Sequence, residues 1–306
     1  MRAITYDSYT PDSSRLVYGE VARPKVGPGE VLIEVRAAGV NPVDWKVMAG
    51  GLDPLMDAVF PVIPGWDVAG VVAQVGPDTP EFAPGDEVLS YARKDVVHAG
   101  TFAEYVTVAA DHVARKPAAL DWAEAGGLPL AGLTALHALD RLAIGASDVL
   151  LVYGAAGGVG SLAVQIAVAR GARVIGTASE RNHEFVRGLG AEPVAYGEGV
   201  AERVRDLSPE GVTAVADFVG GQLETTRAVL APGGRHASIA DPSVAEYGGQ
   251  VLWVRPNGAK LAEVAALAEQ GVLTVEVAET FPLEKVAAAF DASRGHHTRG
   301  KLVIVP

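Results

Sequence analysis

Residues 149–167 read VLLVYGAAGGVGSLAVQIA, and this stretch decides the fold. The five apolar residues Val149–Tyr153 fit a strand buried on both faces. Glycines follow at 154, 157, 158 and 160, and an apolar run then predicts a helix over 159–170. Such a strand–turn–helix needs glycine for three reasons: the chain turns sharply, its backbone approaches a pyrophosphate closely, and the helix packs tightly on the strand. The helix start adds unpaired N–H groups and the positive end of its dipole. Gly154, Ala155, Gly157, Gly158, Val159 and Gly160 are therefore expected to cradle a dinucleotide.

The end of the next strand selects which dinucleotide. NAD-binding units place an Asp or Glu there, about 20 residues past the glycines, to hold the ribose 2′-OH. Here the chain reads Thr177-Ala178-Ser179-Glu180-Arg181-Asn182. Ser179 stands near the acidic position, and Arg181 brings a guanidinium suited to a 2′-phosphate. The pair favours NADPH (NADP). Glu180 facing the ribose would favour NAD instead, and Arg181 as a solvated helix-start cation would select neither.

Outward from this unit, strands are predicted over 173–177, 214–219 and 235–240, alternating with helices over 183–189, 223–230 and 258–270. Repeated strand–helix units imply a parallel, doubly wound sheet, so the class is α/β. A strand over 272–276, a helix over 283–292 and a strand at Lys301–Val305 follow, the last two without an obvious place in that sheet. Upstream, short alternating runs such as Val31-Leu32-Ile33-Glu34-Val35 and DVAGVVAQV (67–75) are split by Gly and Pro. They suggest a barrel-like β domain. The change falls near Asp121, an N-cap with Glu124 three residues on as in a capping box.

Bulk composition narrows the function. With 25 Lys and Arg against 37 Asp and Glu the net charge is −12, and the basic residues are scattered. Nucleic-acid binding needs them clustered. The 306 residues include no cysteine, which removes disulfides, thiol nucleophiles and cysteine zinc sites. Neither a signal pattern nor a run of about 18 apolar residues is present, so a cytoplasmic protein is expected. His98, His112, His137, His183 and His236 are isolated. His296 and His297 are adjacent and splay apart, so no metal site is expected.

Five blocks carry a resemblance: AAGVNPVDWKVMAG (37–50), PGWDVAG (64–70), GGLPLAGLTALHAL (126–139), VYGAAGGVG (152–160) and RGKLVIVP (299–306). In series, over nearly the whole chain, they resemble the quinone oxidoreductases. These include the zeta-crystallins and form the zinc-free branch of the medium-chain dehydrogenase/reductase superfamily. The resemblance implies a GroES-like β-barrel domain over 1–121, a Rossmann domain over 122–271, and a return to the first domain over 272–306. It also implies an active site in the cleft between domains. The zinc alcohol dehydrogenases place a Cys where this chain has Asn41 and a Gly-His-Glu motif where it has Gly65-Trp66-Asp67. Two of about three catalytic ligands are thus replaced by poor zinc donors.

The resemblance further implies that Asn41 hydrogen-bonds the ribose or nicotinamide region and that Thr134 lies near the nicotinamide. Tyr196 stands where related enzymes bring a Tyr toward the 2′-phosphate, or is a loop aromatic. Asp44 either anchors its loop or reaches substrate. Arg299 and Lys301 approach cofactor or substrate from the tail, or are solvated strand-end charges. Lys46 replaces an aromatic residue common in the family. Tyr91, in a loop after Leu89, is the one guess at a proton donor.

The reaction expected is zinc-free hydride transfer from NADPH to a small-molecule quinone or an α,β-unsaturated carbonyl, since an unactivated ketone would lack Lewis-acid polarisation. The alternatives are an enoyl-thioester reductase and a non-catalytic NADPH-binding protein. A homodimer is expected, with residues 251–254 as an edge strand paired across a two-fold axis.

Overall fold

The computed structural model describes residues 1–295 and 298–306, so His296 and His297 lie outside the described residues. Two compact units divide the chain: Met1–Leu130 with Arg255–Pro306, and Ala131–Val254.

The first unit is built on a seven-stranded sheet whose central member is the long strand Glu30–Val40. That strand pairs antiparallel with Asp67–Val75, with Tyr105–Ala109 and, at its far end, with Lys301–Val305. The expected strand over 272–276 is found five residues later, at Val277–Pro282, parallel to Lys301–Val305. Leu273 to Val277 (LTVEV) already alternates ahead of the observed strand, so the pattern does not mark where pairing starts. Leu273 and Val275 are nonetheless buried. The helix Gly258–Glu269, expected with the second domain, packs instead against Val113–Arg115 of this unit. Its amphipathic period announces a helix but not which sheet it covers.

The capping box starts helix Trp122–Gly127 as read: Glu124 N donates to the Asp121 carboxylate and Asp121 N to the Glu124 carboxylate, each at 2.8 Å. This helix lies directly on the central strand. A methyl group added to Gly39 would sit 2.6 Å from Gly126 O and 2.9 Å from Asp67 Oδ2. Only glycine permits that approach, and it brings the helix against a buried carboxylate.

The second unit is a six-stranded parallel sheet in the order Glu192–Ala195, Arg173–Ala178, Val149–Tyr153, Val212–Asp217, Leu230–Ser238, Gln250–Val251. Leu150, Leu151 and Val152 are wholly buried, as a central parallel strand requires. Leu151, Ile175, Val194 and Val215 pack against Val200, Val204 and Val229 of two helices. The first of these helices, Val200–Leu207, and the strand Glu192–Ala195 escape the sequence reading. The strand has four residues including Pro193, and its place at the sheet edge is where a proline is tolerated. At the opposite edge the strand is only Gln250–Val251, although Leu252 N still donates to Ser238 O. Among the described residues no helix is long and apolar enough to cross a membrane.

Candidate functional site

The strand order reverses sequence direction between Val149–Tyr153 and Val212–Asp217. Ligands of open parallel sheets bind at the carboxyl ends of the strands on either side of such a switch. There Gly154 turns the chain with φ +76°, and its N–H donates to Thr177 Oγ1 at 3.0 Å. Gly157 N donates to Gly154 O at 2.9 Å, closing the turn. Gly157 is also the N-cap of helix Gly158–Ala169, and no side chain caps that helix. Its first N–H groups therefore have no side-chain acceptor at the cap, an arrangement that suits an anion. A Cβ on Gly160 would lie 2.1 Å from Gly154 O, so the helix touches the loop backbone only because this residue is glycine.

The neighbouring strand ends lie on the same side of the sheet as this turn. Ala178 pairs with Ala195 in the parallel register, so Ser179 and Tyr196 leave adjacent strands side by side. Ser179 is half-buried and precedes a short 3-10 turn over Glu180–Asn182 without a side-chain capping bond, while Glu180, Arg181 and Tyr196 are exposed. Thr134 is buried on helix Pro129–Arg141. Sequence reasoning missed the loop after Val212–Asp217. Tyr153 pairs with Asp217, which places that loop beside Gly154. The Asp217 carboxylate accepts from Val219 N (3.0 Å), Gly220 N (2.9 Å) and Ser238 Oγ (2.8 Å). It holds Val219 over the glycine turn, 2.8 Å from where a Gly154 Cβ would be. The Gly220-Gly221 pair at a strand end, both with positive φ, was the available signal.

The first unit gathers Asn41, Asp44, Asp67 and Lys301, four polar residues that are all buried. Asn41 precedes helix Pro42–Met48, and its backbone N–H donates to Asp44 Oδ2 at 2.7 Å. Its side-chain amide donates to Asp67 Oδ2 at 2.8 Å and accepts from Lys301 Nζ at 2.5 Å. Lys301 also donates to Val40 O at 3.1 Å and stands 3.7 Å from Asp67 Oδ2, and Leu130 N donates to Asp67 Oδ1 at 2.7 Å. Burial pushes the Asp44 carboxyl up to about 8, the charge of Asp67 adding to it while Asn41 N–H and Lys301 oppose it. Burial likewise raises Asp67 to about 6 against the pull of Lys301 and Asn41, and lowers Lys301 against the two carboxylates. With Asp44 protonated, the cluster holds one carboxylate and one ammonium, a neutral balance suited to a dry interior.

Lys301 is thus committed to Asn41 and Val40, whereas Arg299 forms a half-exposed ion pair with Glu276 at 2.6 Å. Exposed Lys46 lies near the ring of Trp45. Tyr91 is the last residue of a buried strand, edge-on to Trp66, and not in a loop. Catalytic zinc does not fit these residues. Asn41 and Trp66 are poor donors, and the Lys301 ammonium already occupies the acceptor that Asn41 offers, so a dication there would face a buried positive charge.

Residues 27–118 match the alcohol dehydrogenase GroES-like domain and residues 189–304 the zinc-binding dehydrogenase family. The chain is 34% identical over 315 residues to the NADPH-dependent alkenal/one oxidoreductase of Arabidopsis thaliana, covering all of this chain and 80% of that one. The quinone oxidoreductase structure from Coxiella burnetii superposes with TM-score 0.88 at 31% identity, over 100% of this chain and 99% of the other. A mycobacterial protein solved with NADPH superposes with TM-score 0.86 at 29% identity over the whole of both chains. This protein belongs to the medium-chain dehydrogenase/reductase superfamily, in its quinone oxidoreductase branch.

Proposed function

We propose that the protein is an NADPH-dependent oxidoreductase that reduces quinones or α,β-unsaturated carbonyls without zinc. The observation that carries the reading is the uncapped, glycine-lined helix start at Gly157 with Ser179, Arg181 and Tyr196 at the adjoining strand ends. Likeness over the full chain to a relative named for NADPH and alkenals supports it. The glycine turn and the first N–H groups of helix Gly158–Ala169 would hold the pyrophosphate, and Ser179, Arg181 and Tyr196 the 2′-phosphate. Bound NADPH would supply hydride. Turnover of NADPH with a simple enone or quinone tests the reading directly, and tight NADPH binding without turnover across a broad acceptor panel sinks it.

Arg181 provides a sharper check. Replacing one charge-assisted pair removes about 1.5–3 kcal/mol. The Arg181→Ala variant should therefore bind NADPH roughly 10- to 100-fold more weakly while NADH affinity holds. Equal losses for both cofactors would assign Arg181 to the surface.

A homodimer belongs to the same reading, because Val251 and Trp253 are exposed at the sheet edge. Sedimentation as a monomer at micromolar concentration contradicts it.

A further inference from the structure

The zinc-free reading leaves the developing negative charge without a partner, and the first unit holds one. A small pocket is lined by Asp44, Tyr6, Val62, Trp66, Val97 and the backbone around Gly65, all within that unit. Two of its polar atoms, Asp44 Oδ1 and Tyr6 Oη, are buried without a hydrogen-bond partner. Buried polar atoms of this kind are costly unless something satisfies them. Nothing in the local fold requires Asp44 Oδ1 to be bare, because the capping contact to Asn41 N uses only Oδ2. Protonated, Asp44 can donate from Oδ1 as Tyr6 can from Oη, so both can serve a ligand oxygen that enters this pocket.

Resting on the reductase reading above, we propose that the acceptor's carbonyl oxygen docks between the Asp44 carboxyl and the Tyr6 hydroxyl, and that Asp44 protonates it as the C=C bond is reduced. With hydride added at the β-carbon, the C=C pair shifts to form an enolate whose charge sits on oxygen. The Asp44 proton moves to that oxygen, giving the enol and a carboxylate. The enol tautomerises to the ketone, and Asp44 recovers its proton from solvent. One hydride and one proton make up the two hydrogens gained. Tyr6 donates a hydrogen bond throughout, so the charge develops against two fixed donors.

The groups facing Asp44 are Asp67 and Lys301 behind it, with Tyr6, Lys94 and His98 on the pocket wall and Tyr91 nearby. Since the carboxyl is raised to about 8, it carries its proton below that pH and loses it above. Enone turnover should hold below pH 8 and fall above it. A hydroquinone anion can leave and take its proton from water, so quinone turnover should fall less.

The test compares wild type, Asp44→Asn and Tyr6→Phe in the full-length protein, with an enone and a quinone as acceptors. Asp44→Asn should lower enone kcat on the order of 100-fold, erase the fall above pH 8, and leave NADPH affinity unchanged by fluorescence titration. Difference infrared spectra of the protein alone should lose a protonated-carboxyl band that titrates near pH 8. Tyr6→Phe should slow enone reduction and keep the pH profile. If wild type reduces neither acceptor, the reductase reading falls and this assignment with it. If wild type turns over but Asp44→Asn matches it within a few-fold, only the assignment falls. Should Asp44→Asn fail to fold, absence of the wild-type infrared band at pH 7, or a Tyr6→Phe variant as fast as wild type, overturns it.

Discussion

Gly160→Val should lose NADPH binding by on the order of 100-fold or more. The added Cβ would lie 2.1 Å from Gly154 O and 3.0 Å from Ala155 Cα, both backbone atoms that cannot rotate away. The turn must open, and the N–H groups at the start of helix Gly158–Ala169 leave their alignment. Losing two charge-assisted hydrogen bonds of about 1.5–3 kcal/mol each accounts for that factor. Fluorescence titration with NADPH reads the effect. Gly188→Ala is the control, since a methyl there meets nothing within 4 Å, and it should bind as wild type does. A Gly160→Val variant with unimpaired NADPH affinity would remove the glycine turn from the site.

The geometry of this half of the candidate site was legible because its signals are local. The apolar run Val149–Tyr153, the spaced glycines and Ser179 with Arg181 all lie within some thirty residues, and the parallel register joins them as the spacing implied. The capping box at Asp121 was legible for the same reason. The polar cluster was not. Asn41 and Lys301 stand 260 positions apart, and Lys301 read equally well as a strand-end charge. Nothing in WDVAGV marks Asp67 as a buried carboxylate, since that identity depends on helix Trp122–Gly127 crossing at Gly39. Asp217 was hidden likewise, its partner Ser238 belonging to the next strand of the sheet. The strand Glu192–Ala195 was too short and too broken by proline to show a period.

Lys301→Met is expected to produce the second large effect, in stability. Methionine keeps the stem but removes the ammonium, leaving Asp67 wholly buried with only Asn41 and Leu130 as partners. Breaking a buried pair from one side costs about 3–5 kcal/mol, or roughly 10 °C in the melting of a unit this size. The sign with pH follows from Asp67. Its folded carboxyl is already raised to about 6 by burial, and loss of the ammonium raises it further. A group raised on folding favours the folded state at low pH and loses that contribution as pH rises through its folded value. The deficit of Lys301→Met should therefore be small at pH 5 and large at pH 8. Adding Asp67→Asn should recover most of it, because a buried pair removed from both sides is often nearly neutral. A shift of less than a few degrees at pH 8 in calorimetry would deny the cluster its structural role.

The same ammonium connects stability to chemistry. It balances Asp67 and holds the Asn41 amide oxygen, so the buried cluster of the first unit already carries its own cation. Acceptors already polarised toward hydride are the ones such a site suits. The most direct test is NADPH oxidation with a simple enone and a simple quinone after exhaustive chelation of metals. Undiminished turnover with NADPH, and slower turnover with NADH, is the result expected. Turnover that vanishes on chelation and returns with added zinc, or no turnover with either acceptor, would contradict the account.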